Sequence, residues 1–124
     1  MLPFPVMEEV IILRKPAEYT LDELAQKAAG PLTASGAERA VAFGSWAAGT
    51  ADGYSDLDLV VVLETDLPRL ERGRLLAELI EALPVAVDLL VYTPEEFARG
   101  ISAKIGVFDA IAREGATIYA RSTA

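Results

Sequence analysis

The chain contains neither cysteine nor histidine. Without cysteine there is no disulfide, no thiolate nucleophile and no cysteine-based zinc site. Without histidine, neither a Ser-His-Asp triad nor an imidazole general base can be assembled. Asparagine is missing as well, and Gln26 is the one glutamine. Such scarcity of thermolabile side chains points toward a thermophilic source, although a GC-rich genome biases composition in a similar way. Long hydrophobic runs are also absent: stretches such as Val10–Leu13 and Leu59–Leu63 fall far short of the roughly 20 residues that cross a bilayer. The opening Met1-Leu2-Pro3-Phe4-Pro5 lacks the basic patch and long apolar region of a secretion signal, so a cytoplasmic protein is expected. Positive charge is in short supply. Eleven basic against nineteen acidic residues give a net charge of −8, which repels phosphate backbones and argues against unaided nucleic-acid binding. The acidic excess suits either a site that gathers divalent cations or a basic protein partner. The remaining chemistry must run on carboxylates, hydroxyls, lysines and bound metal.

What is present points to a folded domain. At 124 residues, 52% of them hydrophobic, the chain has material for one core and little room for a second. Residues 1–18 read as a proline-bounded N-terminal extension with one possible strand, Glu9–Leu13; residues 19–120 read as the domain, and 121–124 as a tail. Thr20 and Glu23 form a capping box at the start of a helix carrying Leu21, Leu24, Ala25 and Ala28, which Gly30-Pro31 is expected to end. An apolar strand, Arg39–Phe43, runs into Gly44-Ser45, and Trp46–Ala51 suits a short helix or turn. Asp56–Leu63 reads as a strand. Pro68 and Pro84 bracket a helix whose Leu75, Leu76, Leu79, Ile80 and Leu83 form an apolar stripe. Val85–Tyr92 reads as a further buried strand. Thr93, Pro94 and Glu96 then open a helical region reaching about Arg113, with breaks expected near Gly100 or Gly106. Gly115 stops it, and Thr117–Ala120 is a last short strand. Strands alternating with helices predict an α/β or α+β two-layer domain.

Gly44-Ser45, ten intervening residues, and Asp56-Leu57-Asp58 form the constellation that carries chemistry. Side chains alternate along a strand, so Asp56 and Asp58 face the same way and their carboxylates converge. Like charges so placed repel, and a cation between them relieves the repulsion. Hard oxygen ligands favour Mg²⁺ or Mn²⁺, which also coordinate phosphate oxygens. Asp88 lies inside the apolar run Val85–Val91, where a lone carboxylate is expensive to bury. Were that strand the neighbour of 56–63, Asp88 would complete a three-carboxylate group. Gly44 lets the backbone approach a phosphate closely, and the Ser45 hydroxyl can donate to its oxygens.

Gly44-Ser45-x10-Asp56-x-Asp58, followed by Asp88 on a later strand, resembles the minimal nucleotidyltransferases of the DNA polymerase β-like superfamily. The likeness extends from roughly Thr20 to Tyr119. It implies a nucleotidyltransferase fold, a small mixed sheet with helices packed mainly on one face. Asp56, Asp58 and Asp88 would then be catalytic ligands of two Mg²⁺ ions, with Asp88 near the acceptor hydroxyl. Gly44 and Ser45 would hold the triphosphate of a nucleoside triphosphate, ATP by preference. One departure stands out. Many members carry Gly-Ser-Arg-x-Arg-Gly, whereas Gly44-Ser45 is followed here by Trp46-Ala47-Ala48-Gly49, so nucleotide affinity must come from elsewhere. Lys104 and Arg113 are candidates, though no spacing ties them to the site.

Plainer roles are open to each of these residues. Asp56 could cap the turn after Gly53-Tyr54-Ser55, Asp58 could lie on a solvated strand face, Asp88 could pair with an arginine, and Ser45 could be a mere helix N-cap. Trp46, Phe43, Phe97 and Phe108 suit a core better than a ligand contact. The resemblance also implies a context, since small prokaryotic members pair with a helical HEPN-type toxin as the antitoxin that adenylylates it. The alternative is a catalytically weak module that neutralises a partner by contact alone. A small-molecule acceptor fits less well without an added domain.

Overall fold

The computed structural model describes residues 15–122, so the strand expected at Glu9–Leu13 lies outside the described residues. Helix α1 (Leu21–Ser35) begins at the Thr20 capping box: Glu23 N–H donates to Thr20 Oγ1 at 3.1 Å, and Thr20 N–H donates to Glu23 Oε1 at 2.8 Å. It does not stop at Gly30-Pro31. Pro31 forfeits one helical hydrogen bond, yet Leu24, Ala28 and Leu32, one turn apart, are all fully buried, and burying Leu32 requires the helix to pass the proline. The end comes at Gly36, left-handed at φ 82°, where the Gly36 and Ala37 amides donate back to Thr33 and Leu32 carbonyls at 3.1 Å each.

Four strands follow: β1 (Arg39–Phe43), β2 (Leu57–Val62), β3 (Val87–Tyr92) and β4 (Ala116–Ala120), in the spatial order β3-β2-β1-β4. β1 is antiparallel to β2 and to β4, while β2 and β3 are parallel, so the sheet is mixed. The short helix α2 (Ser45–Ala48) leaves β1. A 3-10 helix (Arg69–Leu76) and α3 (Ala77–Ala82) make the crossover from β2 to β3, and α4 (Pro94–Ala103) and α5 (Val107–Glu114) connect β3 to β4. The break between α4 and α5 falls at Lys104 and Gly106, both at positive φ.

Period-two alternation divides the sheet residues between two cores. Ala40, Ala42, Leu57, Leu59, Val61 and Val91 pack with α1, Trp46 of α2 and the crossover. Val41, Val60, Val62 and Tyr92 pack with Phe97 of α4 and Ile111 of α5. The larger helical layer therefore covers one face, and α4 with α5 covers the other. Of the expected crossover stripe, Leu76, Leu79 and Leu83 are buried, but Leu75 and Ile80 are exposed. The inward position one turn before Leu76 belongs to Arg72, whose side chain is 8% exposed.

Arg72 is the polar centre of the fold. Its guanidinium donates to Leu67 O (2.9 Å), to Val91 O (3.2 Å) and, through both terminal nitrogens, to the Glu96 carboxylate (2.6 and 3.2 Å). Glu96 also closes the α4 capping box with Thr93. The bonds from Arg72 and then from the Thr93 amide hold the Glu96 carboxyl well below its ordinary 4.5, at about 2. A carboxyl whose folded pKa is depressed stabilises the fold above its unfolded pKa, and that contribution disappears as pH falls toward the folded value. The expected size is about 3 kcal/mol, from 1.36 kcal/mol per pKa unit. Urea unfolding of wild type and Glu96→Gln should therefore differ most above pH 5 and converge as pH falls toward 2; a difference constant over that range would contradict the pairing.

Candidate functional site

Three backbone elements meet at one end of the sheet: the C-terminal end of β1 and the N-terminal ends of β2 and β3. Asp58 is the register partner of Phe43 on β1 and of Asp88 on β3. The adjacency of the two aspartate-bearing strands, which sequence left open, is thus the arrangement found. Asp56 sits one pleat before Asp58, just ahead of β2, whose entry is fixed by Leu57 N–H donating to Ala86 O at 2.8 Å. Asp56 and Asp88 are exposed, and Asp58 is half-buried. All three share the strand parity of Val60 and Val62 and so lie toward the α4–α5 face.

None of the three carboxylates takes part in a hydrogen bond or salt bridge among the described residues. Neither a turn cap by Asp56 nor an arginine pair with Asp88 is found among the described residues. The turn before β2 is capped by Asp52, whose Oδ1 accepts from Tyr54 N–H at 2.9 Å and from Ser55 Oγ at 3.2 Å. Asp88 has no arginine beside it, and the seven ion pairs of the described chain all lie elsewhere. Burial first, then the charges of Asp88 and Asp56, push the Asp58 carboxyl above its ordinary 3.8. Asp58 therefore feels the other two charges, and no cation among the described residues pairs with any of the three.

Gly44 closes the site from the β1 side. Its backbone, at φ 71° and ψ −149°, is one that residues with a Cβ rarely adopt, and a Cβ there would run into Asp58 Oδ2. Gly44 also holds the N-cap position of α2, so Ser45 is not the cap, and its hydroxyl bonds to no protein group among the described residues. Substituting Gly44→Ala should leave a folded protein with the Asp58 carboxylate displaced by about an ångström, a misplacement worth about a hundredfold in rate. A kcat/KM within twofold of wild type would remove Gly44 from the site.

The other basic candidates are placed elsewhere. Lys104 closes α4 in the left-handed conformation, and Arg113 is engaged by Asp109 (3.1 Å) and Glu114 (3.7 Å). Trp46 and Phe97 are core residues, and Phe43 and Phe108 pack partly buried against the α4–α5 core. Sequence reasoning missed Asp52 as keeper of the turn; Asp52-Gly53 marked the turn without showing which carboxylate ties it.

The donor set fits a hard divalent cation. Among the described residues no three acidic side chains close into a preformed cation cage. Mg²⁺ does not require one, because it keeps several waters and is held by one or two carboxylates together with substrate phosphates. Oxygen-only, charge-frustrated and open toward a glycine turn, the arrangement accommodates that mode of binding.

Residues 20–113 match the family profile described as Nucleotidyltransferase domain. No curated protein sequence matches the chain. Among solved structures, a crystal structure described as a toxin-antitoxin with AMP-PNP is 21% identical, with a TM-score of 0.58, over 79% of this chain and 74% of that one. A putative nucleotidyltransferase from Sulfolobus solfataricus is 17% identical, with a TM-score of 0.56, over 98% of this chain and 93% of that one. A structure described as a tri-AMPylated Shewanella oneidensis HEPN toxin in complex with MNT antitoxin is 20% identical, with a TM-score of 0.51, over 79% and 71% of the two chains. At these identities the likeness establishes the fold. No described helix is long and apolar enough to cross a membrane.

Proposed function

Because this chain belongs to the nucleotidyltransferase domain family, we propose that it moves a nucleoside monophosphate, AMP by preference, from a nucleoside triphosphate to a hydroxyl on a partner protein. The partner of choice is a HEPN-type toxin, with this chain as its antitoxin. The single observation that carries the reading is the Asp58–Asp88 register pair on adjacent parallel strands. Asp56 lies one pleat away, and no cation among the described residues pairs with the three charges. The neighbours described as toxin-antitoxin with AMP-PNP and as AMPylated HEPN toxin with MNT antitoxin support the choice of nucleotide and partner.

In the reaction the acceptor oxygen bonds to the α-phosphorus, the bond from that phosphorus to the bridging oxygen breaks, and pyrophosphate leaves. Asp56, Asp58 and Asp88 would hold two Mg²⁺, or Mn²⁺, ions. Bound there, such ions lower the pKa of the attacking hydroxyl and neutralise charge on the triphosphate and departing pyrophosphate. The Ser45 hydroxyl, uncommitted among the described residues, donates to phosphate oxygen, and the glycine backbone at 44 admits the phosphate to close range. Asp88, on the outermost of the two strands, lies nearest to an arriving acceptor. The half-buried Asp58 would be one of the residues that hold the ions.

The test is incubation of the chain and the product of its neighbouring gene with α-labelled ATP and Mg²⁺. Transfer of label that disappears in Asp56→Ala and Asp58→Ala supports the enzyme. An unlabelled partner, fully inhibited by wild type and by both variants, would instead establish the contact-only module that the missing motif arginines favour.

A further inference from the structure

Catalysis by the carboxylates requires that the phosphate turn at 44–45 and the carboxylate at 56 stay in fixed relation, yet Asp56 precedes β2 and the ladder does not hold it. The turn that delivers it, residues 52–55, is stiffened from within. Asp52 N–H donates to Ser55 Oγ (2.9 Å), Ser55 N–H donates to Asp52 O (3.1 Å), and Asp52 Oδ1 ties the Tyr54 amide. These bonds make the turn rigid but do not locate it. Among the described residues, contacts from outside reach it on two sides. On one side the Trp46 indole N–H donates to Ser55 O, at a long 3.4 Å. On the other, Gly53 N–H donates to Lys15 O at 2.6 Å. The Lys15 stem lies so close to Gly53 that a Cβ there would sit 2.5 Å from Cγ and 3.0 Å from Pro16 O.

Trp46 follows Ser45 directly and is 7% exposed within the larger core. One end of this residue is thus the phosphate turn, and the other touches the carbonyl that immediately precedes Asp56. We propose that Trp46 is a positioning residue that pins the Asp56 turn to the Gly44-Ser45 turn, with the Lys15-Pro16 segment as its back wall. The inference rests on the nucleotidyltransferase reading of the site and deepens it by assigning the link between its two halves. The effect of Trp46 is exerted through the Asp56 carboxylate, and therefore on ion affinity.

Trp46 is the one tryptophan in the chain, so the pin carries its own spectroscopic label. Titration of the wild-type protein with Mn²⁺ should shift or quench its fluorescence, and the free-ion signal in electron paramagnetic resonance should give the dissociation constant. Trp46→Phe, which keeps a packed ring and loses the indole N–H, should weaken Mn²⁺ binding about tenfold. Gly53→Ala, pushing the turn from the other side, should do likewise. Leu32→Ala, in the same core but remote from the turn, should lower the melting temperature and leave Mn²⁺ affinity unchanged. Equal affinities in Trp46→Phe, Gly53→Ala and wild type would overturn the inference, as would a loss in Leu32→Ala that matches theirs. Asp56→Ala separates this from the underlying reading: full Mn²⁺ affinity and full label transfer in that variant would remove the site itself, whereas an inactive Asp56→Ala beside a wild-type Trp46→Phe would remove the pin alone.

Discussion

Replacing Asp58 by asparagine is expected to reduce nucleotidyl transfer by roughly a thousandfold, the scale of removing a preorganised electrostatic contact in an active site, while raising the melting temperature of the ion-free protein. The two effects have one origin. Asp58 is half-buried beside Asp88 and Asp56, and burial followed by those two charges pushes its proton affinity up. A carboxyl with a raised folded pKa favours the fold most below its unfolded value, and that advantage is lost as pH rises through the folded value. At neutral pH the ionised Asp58 therefore strains the native state, and a neutral isostere removes the strain. Added Mg²⁺ should raise the melting temperature of wild type and leave Asp58→Asn unmoved. Differential scanning fluorimetry between pH 5 and 8, with and without Mg²⁺, reads both quantities. An asparagine variant that melts below wild type in ion-free buffer at pH 7 would mean that the carboxylate has a stabilising partner, and the proposal for the site would fail with it.

The second large effect is structural. Arg72→Met should destabilise the fold by about 3 kcal/mol, the lower end of the range for breaking a buried, hydrogen-bonded ion pair, because Arg72 is 8% exposed but Glu96 30%. Four bonds disappear at once: two to the Glu96 carboxylate and one each to Leu67 O and Val91 O. The double variant Arg72→Met, Glu96→Leu should recover a large part of the loss, because no uncompensated charge remains. Urea titrations of the two single variants and the double variant give the coupling directly. Additive single losses would mean that the pair does not act as a unit.

Local pattern was enough for much of this architecture. The run of Leu and Val around Asp58 specified β2 within a residue, and the capping boxes at Thr20 and Thr93 located two helix starts. The Gly44-Ser45 and Asp-x-Asp spacing came together at one end of one sheet because alternation is a property of any strand. What escaped were features decided by distant groups. The first helix outruns its Gly30-Pro31 stop signal because burial of Leu32 outweighs the proline. The crossover opens as a 3-10 helix around a tethered Arg72 rather than as one long amphipathic helix. The Arg72–Glu96 pair spans 24 residues, beyond any window of local periodicity. A clue was nevertheless present: Arg72, Leu76, Leu79 and Leu83 fall at helical spacing, so a guanidinium occupied a slot of the buried stripe. The parallel pairing of β2 with β3 lies between these cases, since the intervening helical segment permits it and only the register fixes Asp58 opposite Asp88.

One of those bonds reaches beyond stability. β3 is a rim of the sheet, and Tyr92 O is engaged inward by Leu63 N–H, so the preceding carbonyl, Val91 O, points away from the sheet. Arg72 occupies that carbonyl. On the opposite rim, the β1–β4 ladder slips register at Ala40/Val41, which bends β4 out of line for a newcomer. Among the described residues, the outer margin of β3, with its apolar run Val-Asp-Leu-Leu-Val-Tyr, is thereby interrupted at one carbonyl, and the β4 margin at its register slip. The guanidinium that braces the crossover also stands guard against strands from other molecules, so loss of Arg72 should expose the chain to self-association as well as to unfolding.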